Sequence, residues 1–580
     1  MVDGLDAWDR SIELPSLRPF ADYRELKPAN YGKAKRFMYS DELDQYFVKI
    51  PIIGGPIESS GFPVFNNGKE LYIDTKLRHI GTFASTGSGK TTRLFSFFIH
   101  SIVRAKESAL IIDPKGEHYK RFAHLFEQAG IPVHVLDQRL PDRGDRFNPL
   151  HCPDDDPYRV RHHHKSFFNS VKLHSDSQPY FPQQAAALNS TLADVLAETS
   201  PETGATISDI VSLTSIECGD QESRERLVKR FKSSGVSKDL IERLQGILLN
   251  NSDSTSKCVC NDAIASLETF SFEPSLADQM SMCDFDIDDF LDGPQAVFLI
   301  PSDEDSSLTT ILGSIISITY SRLIHILNAH NKEQLDTRLN VVIEEAGSIF
   351  VKILPEMLAA SRSRNIRVAY CAQSFDQLLN LYGNQAYSIL ENSRDLFFLG
   401  GYDEVLSPMI SNLAGLGPNE NPLLTVSDLN YLQRGSESIA LIDDLPVITS
   451  QMFPDYEVYP QDWPACYPKV RDIGQRPSTP VTADLIPEKP LIASQESIDD
   501  EDIHGSKHRI YMVGPDTCFL DYRDLRNLFT IRADAKMKRK VENCFSMRHC
   551  MAICNVTAHF IRDIPFDTLY NTIKSCFKEM

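Results

Sequence analysis

The residues best suited to chemistry form the run Ala84-Ser85-Thr86-Gly87-Ser88-Gly89-Lys90-Thr91-Thr92. Its types and order are those of a phosphate-binding loop. Gly87 and Gly89 let backbone N–H groups turn inward around phosphate oxygens. Lys90 places a cation on the outer phosphates, and Thr91 offers a hydroxyl to Mg²⁺. Ser85, Thr86, Ser88 and Thr92 supply the rest of the cradle. The loop needs a strand before it and a helix after it. The apolar run His79 to Ala84 and the amphipathic run Thr91 to Val103 provide both. That helix would point its positive end at the anion. Ala84 stands where such loops usually begin with glycine, and alanine is small enough to pass. A plain Gly/Ser-rich turn before a helix is the competing reading, and the full context disfavours it.

A second cluster lies far downstream. Leu339-Asn340-Val341-Val342-Ile343 is an apolar strand with Glu344 and Glu345 at its tip. In nucleotide sites the first acid of such a pair supports Mg²⁺ and the second polarises the attacking water. Glu344 stands where Asp is commoner, with the same carboxylate on a longer arm. Glu345 is the candidate catalytic base. The competing reading is a pair of helix N-terminal acids. Val368 to Ser374 is a further strand with Gln373 at its tip, placed to sense a γ-phosphate or orient water. Asp113 and Lys115 follow the apolar strand Ala109 to Ile112 and are candidate supporting groups for the nucleotide. Glu117 reads as a helix-start acid. Arg362, Arg364 and Arg394 are candidates for an arginine supplied to a neighbouring subunit's site, against the blander reading of surface or ion-paired arginines.

These residues must be carried by strands that end at one edge. Continuous apolar strands alternating with helices predict a parallel sheet buried on both faces, with ligands at the strands' C-terminal ends. The chain divides accordingly. Residues 1–32 form a Pro-rich tail, and 33–152 carry the first part of the nucleotide-binding domain. In 153–284 strand patterns stop, amphipathic helical patterns take over, and an inserted all-α domain is expected. Thr206 to Asp209 has the form of a capping box there. His162-His163-His164 in this region reads as a solvated face rather than a metal site. Residues 285–465 resume the sheet; within them Ile311 to Leu327 is apolar but carries Arg322 and His325, so it reads as a buried helix rather than a span. Residues 466–505 are an acidic, Pro-rich linker. Residues 506–580 form a small mixed α+β domain of unknown role, whose Cys544, Cys550 and Cys554 do not match zinc spacing.

Composition bounds the rest. At 580 residues about two to four domains are expected. The net charge of −21 excludes a protein that coats duplex DNA with a basic surface, so any nucleic-acid contact must be local, as in a lined channel. The N-terminus has no secretory pattern, and the 12 scattered cysteines are expected reduced in the cytoplasm.

The ordered set of motifs resembles the coupling ATPases of type IV secretion and conjugation, the TraG/TraD-like group, along most of residues 32–455. The resemblance rests on Gly32-Lys33-Ala34-Lys35-Arg36 before Asp41-Glu42-Leu43, the phosphate loop, and Asp113-Pro114-Lys115-Gly116-Glu117. It continues through Asn148-Pro149-Leu150, Glu344-Glu345, Arg362 to Ile366, Gln373-Ser374 with Gln377-Leu378, Tyr382-Gly383 and Pro422-Leu423-Leu424-Thr425. It implies a RecA-like P-loop NTPase core with an all-α insert, and a homo-hexameric ring that binds ATP and Mg²⁺ between subunits. It further implies a motor that recruits or moves DNA or a relaxase–DNA complex toward a secretion channel. The family's usual N-terminal membrane helices are not recognisable here, so peripheral docking at the inner membrane through membrane-anchored channel proteins is expected. A soluble FtsK/HerA-like DNA translocase in repair or defence, and a nucleotide-binding adaptor for protein substrates, remain the rival readings.

Overall fold

The computed structural model describes residues 35–471, apart from 155, 172–179, 200–203, 303, 305–307, 402, 418–420 and 434, together with 510–512 and 518–520. The tail 1–32, most of the linker and nearly all of the C-terminal domain, including Cys544, Cys550 and Cys554, lie outside the described residues. Two units separate at Pro477 and Ser478. From the second, the hairpin Ile510–Met512 with Cys518–Leu520 is described.

A three-stranded antiparallel sheet opens the first unit: β1 (Val48–Pro51), β2 (Phe62–Asn66) and β3 (Glu70–Asp74), with β3 in the middle. Strand β2 was not legible in the sequence. Pro63 argues against a strand, but β2 is an edge strand and Pro63 pairs with Ile73 just before the β2–β3 register shifts, the places where a sheet tolerates proline.

The main sheet has nine strands. They are β4 (Ile80–Phe83), β5 (Ser108–Ile112), β6 (Val133–Asp137), β7 (Ala296–Ile300), β8 (Leu339–Ile343), β9 (Ile366–Ala372), β10 (Asp395–Phe398), β11 (Glu437–Ile442) and β12 (Ile448–Gln451). Their order is β12-β11-β10-β4-β9-β8-β5-β7-β6. From β10 to β6 every pairing is parallel; β10–β11 and β11–β12 are antiparallel. The central strands β4, β5, β7, β8 and β9 are buried at every residue, as a sheet covered on both faces requires.

Aromatic packing joins the two sheets. The Phe62 ring of β2 lies 5.8 Å from Phe95, 5.1 Å from Phe98 and 4.8 Å from Phe397 of β10. Phe62 is 1% exposed, so truncation removes its burial and leaves a cavity. Phe62→Ala is expected to destabilise this unit by about 3–5 kcal/mol. Urea unfolding of the full chain followed by circular dichroism checks it, and an unchanged midpoint would show that the two sheets do not depend on this contact.

Between β6 and β7 the described elements are helices, from Pro157–Val171 to Asp289–Asp292. The Thr206 hydroxyl accepts from the Asp209 N–H, and Asp209 returns the bond to the Thr206 N–H, closing a capping box at Ile207–Glu217. Of the histidine triplet, His162 is exposed as a solvated face requires, and the other two correct that expectation. His163 and His164 are buried. His163 Nε2 lies 2.9 Å from the Pro149 carbonyl, and His164 bridges Asp194 at 2.8 Å and the Leu150 carbonyl at 3.0 Å. They tie this helix to the segment that leads into it, which helical spacing alone does not reveal.

The helix Thr309–Ala329 packs against Pro157–Val171 and is mostly buried. At 21 residues it is long and apolar enough to cross a membrane by length and composition, and its burial is that of the buried helix read from the sequence. Among the described residues no other helix is that long and apolar.

Candidate nucleotide site

Four adjacent parallel strands, β4, β9, β8 and β5, end at the same edge. Each tip presents one of the candidate residues: the loop 84–92 after β4, Gln373 after β9, Glu344 and Glu345 after β8, and Asp113 after β5. The placement follows from parallel pairing, because in-register neighbours finish side by side.

The loop is shaped by its glycines. Gly87 and Gly89 have φ of 78° and 87°, in the left-handed region that favours glycine. Ala84 is buried at the strand end, where its N–H donates to the Ala372 carbonyl at 3.1 Å, so no glycine is required there. The chain then enters a π-helical turn, Lys90–Phe95, that runs into the helix Ser96–Ala105. The Ser88 hydroxyl is buried and has no hydrogen-bond partner, as expected of a cradle built for a polar guest.

Opposite the loop stand the acids. Lys90 Nζ is 3.2 Å from Glu345 Oε1 and 3.5 Å from the Glu344 carbonyl. The Thr91 hydroxyl donates to Glu344 Oε1. Glu344 Oε2 meets His118 Nε2 at 2.9 Å. Thr86 Oγ1 reaches Gln373 Oε1 at 3.4 Å, and the Gln373 N–H donates to Gln377 Oε1 at 3.1 Å.

His118 is the site residue that the sequence did not reveal. It lies in the first turn of the helix Glu117–Gln128, one residue past the motif at 113–117. Its ring, with Asp113 and Glu344, forms a buried group whose ligand atoms lie within 4.8 Å of one another. The signal was present in Glu344: a longer carboxylate in place of Asp needs a partner to hold its second oxygen.

Electrostatics follow from burial and these contacts. Burial pushes Asp113 up to about 6, partly offset by His118 and the Tyr119 N–H. Burial would lower His118, but the charges of Glu344 and Asp113 outweigh it and raise the ring to about 9. Burial would raise Glu344, yet His118, Thr91 and Lys90 hold it below its ordinary value. Lys90 is raised, because Cys371, Glu344 and Glu345 outweigh its burial.

The other candidates separate from this group. Lys115 is exposed, and its carbonyl accepts from Arg139 Nη1 at 2.6 Å; its side chain is not among those gathered at Glu344. Glu117 begins its helix after Gly116, the helix-start role read from the sequence. Arg362 precedes β9 and Arg394 precedes β10, so both lie at the opposite ends of their strands, about 23 Å away along β9 and about 13 Å along β10. Neither belongs to this chain's own site. Arg394 Nη1 pairs with Asp443 at 3.5 Å.

A hydroxyl-bearing phosphate loop against a strand-borne acid pair, on a RecA-like parallel sheet with a helical insert, defines the P-loop NTPase fold class. The chain belongs to the family described as type IV secretory system conjugative DNA transfer, which matches residues 35–411. Solved structures agree on the fold. The bacterial conjugative coupling protein TrwB, in a trigonal form with sulphate, superposes with a TM-score of 0.54 at 15% identity, covering 76% of this chain and 98% of that one. TrwB with the ATP analogue ADPNP gives 0.52 at 16% identity over 72% and 95%. TrwB with ADP and Mg²⁺ gives 0.51 at 16% over 70% and 94%. No curated protein sequence matches the chain.

Proposed function

We propose that the chain is an ATP-driven motor of the coupling-protein type, recruiting or translocating DNA or a relaxase–DNA complex for conjugative transfer. The observation that carries this reading is the apposition of Lys90 and Glu345 across the strand edge, at 3.2 Å. In this reading the loop 85–92 holds the phosphates. Mg²⁺ fits the donor set, since a hard cation takes oxygen ligands and the Thr91 hydroxyl meets the Glu344 carboxylate here. When bound, the cation neutralises charge on the β- and γ-phosphates. His118 orients Glu344, as outer-shell partners of metal ligands do. Glu345 accepts the proton of the attacking water, and Gln373 senses the γ-phosphate. A neighbouring subunit of a hexamer would supply Arg362 or Arg394, and channel proteins at the inner membrane would dock the ring.

Two experiments test the reading. ATP hydrolysis by the full chain is measured with and without single- and double-stranded DNA, alongside its mass in solution. Strong stimulation by DNA with a ring-sized assembly supports the motor; hydrolysis indifferent to DNA would instead favour a coupler of protein substrates. For the metal ligands, His118→Ala is expected to raise the Mg²⁺ concentration needed for half-maximal hydrolysis by about 10–100-fold. An unchanged Mg²⁺ dependence would remove His118 from the site.

A further inference from the structure

Glu345 and Gln373 stand on different strand tips, yet one γ-phosphate would have to meet both. The turn after β8 carries Glu345. It is tied to the end of β9 by the Ala346 N–H, which donates to the Cys371 carbonyl at 2.8 Å. Within the turn the Ser348 and Ile349 N–H groups donate to the Glu345 carbonyl, both at 3.1 Å. The tip after β9 leads into the helix Phe375–Tyr382, capped by Ser374, whose hydroxyl accepts from the Gln377 N–H at 3.3 Å. The Phe375 N–H donates to the buried Asp403 carboxylate at 2.9 Å, so the start of this helix is anchored.

The Gln377 side chain joins the two tips. Its Oε1 accepts from the Gln373 N–H at 3.1 Å. The same amide lies over Gly347, two residues past Glu345. A Cβ on Gly347 would stand 2.9 Å from both Cβ and Cδ of Gln377, and closer still to Oε1. A methyl group there would displace the amide, because packed atoms leave no room for such an approach. Gly347 does not have a left-handed φ, so its lack of a side chain answers to this contact and not to its own backbone.

We propose that Gln377 is a positioning residue, seated on Gly347, that fixes the Gln373 peptide against the turn carrying Glu345 and so couples the γ-phosphate sensor to the base. The inference rests on the roles proposed for Glu345 and Gln373 and adds what holds the two in one geometry. Gln373 is exposed at its tip, and its side-chain oxygen is 3.4 Å from Thr86 Oγ1, at the long end of hydrogen bonding. The backbone bond to Gln377 is the tighter restraint. Without its acceptor the Gln373 peptide can turn, and a misplacement of about 1 Å costs roughly 10²-fold in rate. The Gln377 amide is neutral, so removing it alters this geometry and leaves the charge around the phosphates as it was.

The test measures equilibrium ATP binding and single-turnover hydrolysis by the full chain. Gln377→Met keeps the length of the side chain and removes the carbonyl acceptor. Turnover is expected to fall by about 10–100-fold with ATP affinity unchanged, because the phosphate loop is untouched. Gln377→Glu keeps an acceptor at the same reach and is expected to restore turnover. Gly347→Ala pushes the amide off its seat and is expected to give the same loss as Gln377→Met. Should Gly347→Ala fail to fold, the two substitutions of Gln377 decide alone. Turnover by Gln377→Met equal to that of the unsubstituted chain overturns the proposal. So does an equal loss in Gln377→Met and Gln377→Glu, which would assign the effect to shape, or a fall in ATP affinity that accounts for the loss in Gln377→Met. Absence of hydrolysis by the unsubstituted protein removes the roles of Glu345 and Gln373, and this inference with them.

Discussion

Lys90→Ala is expected to abolish ATP binding at concentrations where the unsubstituted protein is saturated. Lys90 is the cation drawn into the loop's mouth, where Glu345 and the Glu344 carbonyl hold its ammonium. In the absence of nucleotide these two groups are its partners; phosphate oxygens would take over that role. A charge-assisted hydrogen bond contributes about 1.5–3 kcal/mol. Two such bonds to the β- and γ-phosphates correspond to roughly 10²–10⁴ in affinity. The substitution also leaves Glu344 and Glu345 facing the phosphates with less positive charge to balance them, which weakens binding further. Calorimetric titration with ATP and Mg²⁺ measures the change directly. Lys90→Arg separates charge from shape: a longer, forked cation in a mouth this narrow is expected to recover only part of the affinity. Binding by Lys90→Ala as tight as that of the unsubstituted chain would mean that the loop does not hold phosphate.

The contrast between what could and could not be read beforehand has a physical basis. The loop 84–92, the tip at 344–345 and the tip at Gln373 are short contiguous runs, and parallel strands convert each into one point on a shared edge. A contiguous motif therefore survives translation into three dimensions. His118 meets Glu344 across 226 positions, and nothing local in either run announces the partner. The aromatic segment 455–465, which holds Tyr459 and Trp463, was hidden for the same reason. Its rings are ordered by packing on the helices Ser96–Ala105 and Glu117–Gln128, which sequence spacing near Trp463 does not encode. Strand β10 illustrates a different limit. With four residues it is too short for alternation to be recognised, yet it lies beside β4 and completes the sheet under the loop. His163 and His164 show that adjacent polar residues on a helix can both be buried when neighbouring carbonyls and an acid receive them.

The two acids at the end of β8 differ by one position and by everything around them. Glu344 has a side chain 5% exposed, with both oxygens engaged, by Thr91 and His118. Such a carboxylate is fixed in place and suited to a metal. The Glu345 side chain is 30% exposed; one oxygen faces Lys90, and the other is 3.3 Å from the Ser348 hydroxyl. It can meet water and a γ-phosphate at once, which is what a base in hydrolysis requires. Glu345→Gln keeps the size and the hydrogen-bonding outline but cannot accept a proton. It is therefore expected to bind ATP as tightly as before, or more tightly because a negative charge beside the phosphates is gone. Turnover is expected to fall by about 10²–10⁴, the usual contribution of a positioned base. Single-turnover hydrolysis together with equilibrium binding separates the two effects. Loss of binding and turnover together would mean that Glu345 holds the loop's shape through Lys90. Normal hydrolysis would assign the proton to another group at this edge, of which Gln373 cannot be one, since an amide has no proton-accepting site of useful basicity. The carboxylates of Glu344 and Asp113 would then be the remaining candidates at this edge, and the division of labour between metal support and base would have to be redrawn.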